Sequence, residues 1–264
     1  IPCVKCNQTV KFKDLLTTAK DLGADCLATG HYIQRKDGKI KSELHRGFDN
    51  TKDQSYFLFS TTQEQLDFLR FPLGHMVKDD TRELAHKFGL KVADKPDSQD
   101  ICFVPNGGYS DLVKKLRPEA IMGGNIVDLD GNILGTHDGI INYTIGQRRG
   151  IGIGGRKDNT DPLYVVELRP DTKEVVVGGK EALGKQTISI TNINWIGDEE
   201  INDTPKDVQI KIRSVMQPVK GKVYKKGNHI VAEFDEPEFG VSPGQACVFY
   251  NNERMLGGGW ITDI

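Results

Sequence analysis

The repeat distance of the apolar residues changes along this chain, and that change limits the folds open to it more than any single motif. In the first hundred residues, helix and strand patterns alternate. Lys11–Leu22 places Phe12, Leu15, Leu16, Ala19 and Leu22 on one helical face, with Gly23 as the stop. Asp25–Thr29 reads as a short buried strand running into Gly30-His31-Tyr32. Two more helices are predicted over Thr62–Leu69 and Lys78–Phe88; the second has Asp79, Asp80 and Glu83 near its positive end and Gly89 as its stop. Lys91–Ala93 follows as a short strand. This alternation predicts a parallel sheet covered by helices.

Near residue 105 the texture changes. From Gly123 to Gly179 glycines separate short β-rich runs: Asn125–Leu129, Ile133–Leu134, Gly139–Tyr143, Leu163–Leu168 and Glu174–Val177, with a hairpin signal at Asp130-Gly131. From Ile188 the strands lengthen, and Val208–Arg213 and His229–Phe234 alternate with period two. Regularly spaced strands with turns between them predict a small β-barrel. The expected class is α/β plus all-β: a parallel-sheet domain over 1–105, a β-rich domain over 106–182 and a barrel over 183–264.

At 264 residues the chain is long enough for two or three cores. Its apolar runs are far shorter than the ~18 residues a membrane helix needs, so no membrane partner is expected. Five cysteines are too sparse for a disulfide framework, and the 29 glycines have no collagen period. A net charge of -2 argues against nucleic-acid binding by bulk charge alone but leaves room for a local basic face.

Cys3 and Cys6 form a Cys-x-x-Cys, and Cys102 lies between Ile101 and Phe103. Zinc would want a second such pair, which is absent from the sequence. A redox pair at a helix start, a nucleophile pair or three-cysteine cluster completed by Cys102, and a merely buried Cys102 all remain open. Cys26 and Cys247 sit in apolar strand patterns and read as buried. Gly30, at the carboxyl end of a strand, lets a ligand approach the backbone. Lys52-Asp53-Gln54-Ser55-Tyr56 offers a cation, a carboxylate and an amide to phosphate and base, or is a solvated turn. Tyr143–Gly155 sets Arg148 and Arg149 in a glycine lattice. Its Gly150-x-Gly152-x-x-Gly155 lacks a surrounding βαβ unit, so a polyanion is the better partner than a dinucleotide.

In order along the chain, Pro2–Asn7 with Val10-Lys11-Phe12, Ala28–Tyr32, Lys52–Leu58, Asp97-Ser98 with Ile101–Phe103, Thr144–Arg148, Gly150–Gly155 and Pro243–Gln245 resemble the tRNA-specific 2-thiouridylases. The resemblance implies a PP-loop ATPase fold of the adenine-nucleotide alpha-hydrolase type in the first domain, tRNA binding in the central one and a C-terminal barrel. It implies ATP, with Mg2+, adenylating the C2 oxygen of the wobble uridine, and sulfur arriving as a persulfide on Cys102. Cys6 would be the partner thiol, with disulfide chemistry between the two. It implies an ATP contact at Gly30, tRNA contacts at His31, Lys52, Asp53, Gln54, Arg148, Arg213, Ser214 and Gln245, and a target-base loop at Pro2 and Cys3. Partners would be a sulfur-carrier protein and the anticodon stem-loops of lysine-, glutamate- and glutamine-type tRNAs, in the cytoplasm. Some members carry aspartate where this chain has Cys3, so Cys3, Cys6 and Cys102 are also possible ligands of a [4Fe-4S] cluster. The family's Ser-Gly-Gly-x-Asp-Ser loop does not occur in the sequence, from which adenylation by this chain unaided is not expected. Two readings of other classes stand beside this one: a non-catalytic tRNA-binding module, and an iron–sulfur or redox protein.

Overall fold

The computed structural model describes residues 2–95, 122–153 and 162–263. The chain separates into two compact units, one of Ile1–Asp97, Gln186–Glu236 and Pro243–Ile264, the other of Ser98–Lys185 and Pro237–Ser242.

In the first unit the leading helix is longer than its apolar pattern predicts. It runs as α1 (Pro2–Cys6), a π-helical stretch (Asn7–Asp14) and α2 (Leu15–Asp21). The i→i+5 bonding of the π stretch shifts the phase of the buried face. Val4, Asn7, Phe12 and Leu16 face inward, while Leu15 and Leu22, expected in the core, are exposed. The next strand is only β1 (Leu27–Ala28), which pairs in parallel with β4 (Leu69–Arg70). Cys26 lies outside it and is exposed, contrary to the expected burial, whereas Cys247 is buried. A hairpin that the apolar pattern did not signal, β2 (Ile33–Asp37) with β3 (Ser42–Arg46), comes between them. α3 (Gln63–Phe68) opens on a capping box in which Thr62 and Gln65 satisfy each other's backbone amides. α4 (Lys78–Lys87) follows as expected. The predicted strand at Lys91–Ala93 is instead a pair of turns closed by Ala93 N–H to the Leu90 carbonyl and Lys95 N–H to the Val92 carbonyl. Among the described residues so short a run pairs with no neighbouring strand, and it closes on itself.

The same unit holds the barrel. The strands are β9 (Lys185–Trp195), β10 (Lys206–Lys211), β11 (Val219–Lys226), β12 (His229–Glu238), β13 (Ala246–Asn251) and β14 (Arg254–Asp263). Their order is β13-β10-β11-β12-β9-β14, and β13–β14 pairing closes the ring. The early hairpin extends this sheet: β3 pairs with β14 through His45 opposite Arg254 and Leu44 opposite Met255. One apolar core accordingly draws Val4, Phe12, Leu44, Tyr56, Leu58 and Phe59 together with Ile196, Val248, Tyr250 and Met255.

The second unit is a four-stranded sheet ordered β6-β5-β8-β7, from β5 (Gly124–Val127), β6 (Ile133–His137), β7 (Tyr164–Arg169) and β8 (Glu174–Gly178). β5 and β6 meet at the predicted Asp130-Gly131 turn, where Asp128 accepts from the Asp130 and Asn132 amides. Gly139–Tyr143, expected as a strand, winds into a single 3-10 turn over Ile140–Asn142. That brings Ile140 and Tyr143, three apart and eclipsed, onto the core formed by Ile126, Ile151, Val165, Val175 and Val177.

Candidate functional site

The leading helix places Cys3, exposed, and Cys6, half-buried, one turn apart inside the helix rather than ahead of it. Both are free thiols, as are Cys26 and Cys247. Cys102 falls outside the described residues, and so do Asp97, Ser98, Gly154 and Gly155. Among the described residues no group of three or more His, Cys, Asp or Glu side chains is arranged to hold a metal ion. Cys3 and Cys6 are the two described residues of the three-thiol set that the sequence suggests.

One turn past Cys6, the π-helical stretch carries Lys11 toward the loop after β1. Its ammonium lies 3.5 Å from His31 Nε2. Since an ammonium only donates, Nε2 accepts, Nδ1 carries the proton, and that N–H donates to Thr29 Oγ1 at 2.7 Å. The ring also stands edge-on to Phe12, with centroids 5.8 Å apart. Burial, and secondarily the Lys11 charge, pull the His31 pKa from 6.5 down to about 4. His31 is a neutral, oriented imidazole with both nitrogens engaged. Gly30 beside it is exposed, and a Cβ there would meet only Leu73 at an ordinary 3.6 Å.

The polar segment after β3 is tied to this loop. Gln54 brackets Tyr32, accepting from its N–H through Oε1 at 2.9 Å and donating its own N–H to the Tyr32 carbonyl at 3.2 Å. Gly47 allows the approach, since a Cβ there would sit 2.4 Å from the Tyr32 carbonyl oxygen. Lys52 is half-exposed. Asp53 turns inward, its side chain only 2% exposed, and so differs from the surface contact that the sequence suggests. Oδ1 accepts from the Gly47 and Ser55 amides, both at 3.1 Å, and Oδ2 from Ser55 Oγ at 2.9 Å and Arg46 Nε at 3.4 Å.

On the barrel, Arg213 and Ser214 lie in the turn just past β10, both half-buried. Tyr56 Oη reaches the Ile212 carbonyl at 2.9 Å and the Ala246 carbonyl at 3.0 Å, so one phenol touches the flanks of both Arg213 and Gln245. The Gln245 side-chain oxygen is buried without a hydrogen-bond partner among the described residues. In the second unit Gln147 shapes the glycine lattice: Oε1 accepts from Thr144 N–H at 3.0 Å and Nε2 donates to the Arg149 carbonyl at 3.0 Å. Positive φ at Gly146, Gly150 and Gly152 winds the loop so that Ile151 enters the core. Arg148 and Arg149 are left exposed.

One unit therefore gathers Pro2, Cys3, Cys6, Gly30, His31, Lys52, Asp53, Gln54, Arg213, Ser214 and Gln245, and the other holds Arg148. No sequence motif points to Arg46 or Lys211, and Lys11 enters one only as part of Val10-Lys11-Phe12, with no role of its own. Lys211 in particular sits at a solvent-facing position of the alternation yet is buried.

Three family models match the chain: the tRNA methyl transferase HUP domain over residues 1–106, the tRNA methyl transferase PRC-barrel domain over 110–179, and the aminomethyltransferase β-barrel domain over 185–261. The chain is 60% identical over 267 residues to the tRNA-specific 2-thiouridylase MnmA of Jannaschia sp. (strain CCS1), covering 99% of this chain and 69% of that protein. It is 59% identical over 266 residues to the protein of the same name from Paracoccus denitrificans (99% and 67%), and 54% identical over 265 residues to that from Rhodospirillum centenum (99% and 67%).

Proposed function

Because the chain belongs to the tRNA-specific 2-thiouridylase family, we propose that it acts on tRNA as a sulfurtransferase, replacing the C2 oxygen of the wobble uridine with sulfur. The observation that carries this reading is the convergence in one unit of the thiol helix, the loop bearing Gly30 and His31, and the 52–54 segment, linked through Lys11–His31 and Gln54–Tyr32.

A carbonyl oxygen is a poor leaving group, so O2 would first be adenylated by ATP, with Mg2+ and with pyrophosphate leaving, a step not expected of this chain unaided because the Ser-Gly-Gly-x-Asp-Ser loop does not occur in its sequence. The terminal sulfur of a Cys102 persulfide, loaded by a carrier protein, attacks C2 and AMP leaves. The Cys6 thiolate then attacks Cys102 Sγ. The S–S bond to the base breaks, its electron pair stays on the thiouridine sulfur, and Cys6 and Cys102 end as a disulfide for a cellular thiol to reduce. In this reading Gly30 meets the nucleotide, neutral His31 and Lys52 meet tRNA, and Pro2 and Cys3 border the target base. Gln54, Arg148, Arg213, Ser214 and Gln245 hold the anticodon stem-loop of lysine-, glutamate- and glutamine-type tRNAs. The boundaries near 105 and 183 and a cytoplasmic location belong to the same proposal; no helix among the described residues is long and apolar enough to cross a membrane.

Cys6→Ser and Cys102→Ser, introduced into the chromosomal copy, should each abolish 2-thiouridine in cellular tRNA while the purified variants still bind tRNA. Undiminished 2-thiouridine in the Cys102→Ser strain would refute the mechanism and leave a non-catalytic tRNA-binding module. Cys3, Cys6 and Cys102 would together supply three thiolates to a [4Fe-4S] cluster, leaving one iron open to sulfide. Anaerobic reconstitution followed by absorption tests this, and a colourless, active protein excludes it.

A further inference from the structure

Asp53 lies in the segment read as touching tRNA, yet its carboxylate is committed elsewhere. Two amides, a hydroxyl and the Arg46 guanidinium occupy its oxygens, and the Lys211 ammonium stands 3.9 Å from Oδ2. Lys211 is as enclosed as Asp53, with its side chain 5% exposed, and lies 5.9 Å from the centroid of the Tyr56 ring. A charge so buried is tolerated only when it is paired. Burial pulls the Lys211 pKa down, and the Asp53 charge pulls against it.

The cluster bridges two parts of the sequence. Arg46 and Asp53 come from the segment that carries Gln54, which grips Tyr32 beside His31. Lys211 is the last residue of β10, two before Arg213. Ser55 Oγ donates to Asp53 and so accepts from Tyr250 Oη at 3.0 Å, which adds β13 to the same network. Tyr56, three residues from Asp53, holds the Ile212 and Ala246 carbonyls.

We propose that Asp53 and Lys211 are positioning residues for tRNA: their buried pair fixes the spacing between the Gln54–His31 loop and the barrel positions Arg213, Ser214 and Gln245, and neither side chain touches RNA. This rests on the tRNA-binding reading above. If it holds, the barrel residue Lys211 matters to tRNA affinity as much as Asp53 does.

The test measures tRNA affinity of the whole chain as a function of salt for wild type, Asp53→Asn, Lys211→Met and the double variant, at a temperature where circular dichroism shows each one folded. Each single variant should weaken binding on the order of tenfold, the scale of a small misplacement of contacting groups. The slope of log Kd against log salt should stay at its wild-type value, since a lost phosphate contact would lower it by about one. The double variant, which leaves no stranded Lys211 ammonium and leaves Arg46 its second partner Glu253 at 3.7 Å, should bind no worse than either single one. Full affinity in Lys211→Met beside a weakened Asp53→Asn would make Asp53 a direct contact and overturn the proposal. So would a fall in Tm in both single variants without loss of affinity, which is a purely structural role, or a reduced salt slope in Lys211→Met. A wild-type chain that does not bind tRNA overturns this inference together with the reading it rests on, whereas the cysteine variants above test the chemistry separately.

Discussion

The neutral imidazole of His31 makes the stability of the first unit depend on pH in a calculable way. Its pKa is about 4 in the folded chain against the ordinary 6.5, with burial the main cause and the Lys11 ammonium the second. As pH falls, the unfolded chain takes up this proton first, from about 6.5 downward, and the folded chain only near 4. Stability contributed by the neutral ring is therefore complete above 6.5, declines between 6.5 and 4, and is level below that. The gap of about 2.5 pH units corresponds to roughly 3.4 kcal/mol in full, and about 2.4 kcal/mol of that is lost between pH 7 and pH 4.5. Denaturant unfolding of wild type and His31→Gln at the two pH values isolates the effect, because the remaining titrating groups are common to both. Wild type should lose about 2 kcal/mol more than the variant on acidification. Proton NMR should follow the ring titrating near 4, and Lys11→Met should raise that value. A ring that titrates near 6.5, or equal acid losses in the two proteins, would refute the assignment of a buried, Lys11-facing imidazole.

Arg148→Ala and Arg149→Ala should leave the second unit folded and each reduce the salt slope of tRNA binding by about one, as measured by filter binding across a salt series; an unchanged slope in both would remove this loop from the tRNA surface. Tyr56→Phe deletes the hydroxyl that serves the Ile212 and Ala246 carbonyls and should cost about 1–3 kcal/mol in equilibrium unfolding, the usual range for stranding a buried acceptor; a loss below about 0.5 kcal/mol would mean the two carbonyls are satisfied without it.

The parts of this fold that were legible in the sequence are those where one local rule decides. The barrel strands Val208–Arg213 and His229–Phe234 announce themselves by alternation, α4 by its charged first turn and terminal glycine, and the β5–β6 turn by Asp130-Gly131. Most of what escaped depends on partners distant in sequence. Ser42–Arg46 carries three charged or titratable residues in five, Glu43, His45 and Arg46, and becomes a strand because β14 supplies its other edge. Lys211 is buried because Asp53 lies within reach of it. Counting 3.6 residues per turn through a stretch that bonds i→i+5 puts Leu15 and Leu22 on the core face, whereas both are exposed. At the site, Cys6, His31 and Gln54 were found by their motifs, but the inward turn of Asp53 is set by Gly47, Ser55 and Arg46 acting together and leaves no mark in the motif itself.

The pairing of β3 with β14 also bears on how the chain is made. The hairpin leaves the ribosome about two hundred residues ahead of the strand that pairs with its β3 edge. Until then that edge, and the apolar residues Leu44 and Tyr56 near it, have no permanent cover, so the thiol-bearing helix and the loop it serves cannot reach their final packing before the barrel closes. Such late, sequence-distant closure is slow and leaves an interval in which the edge is open to other chains. Maturation of the site is thereby timed by the synthesis of β14, and a chain halted before Arg254 carries its cysteines ahead of any finished scaffold.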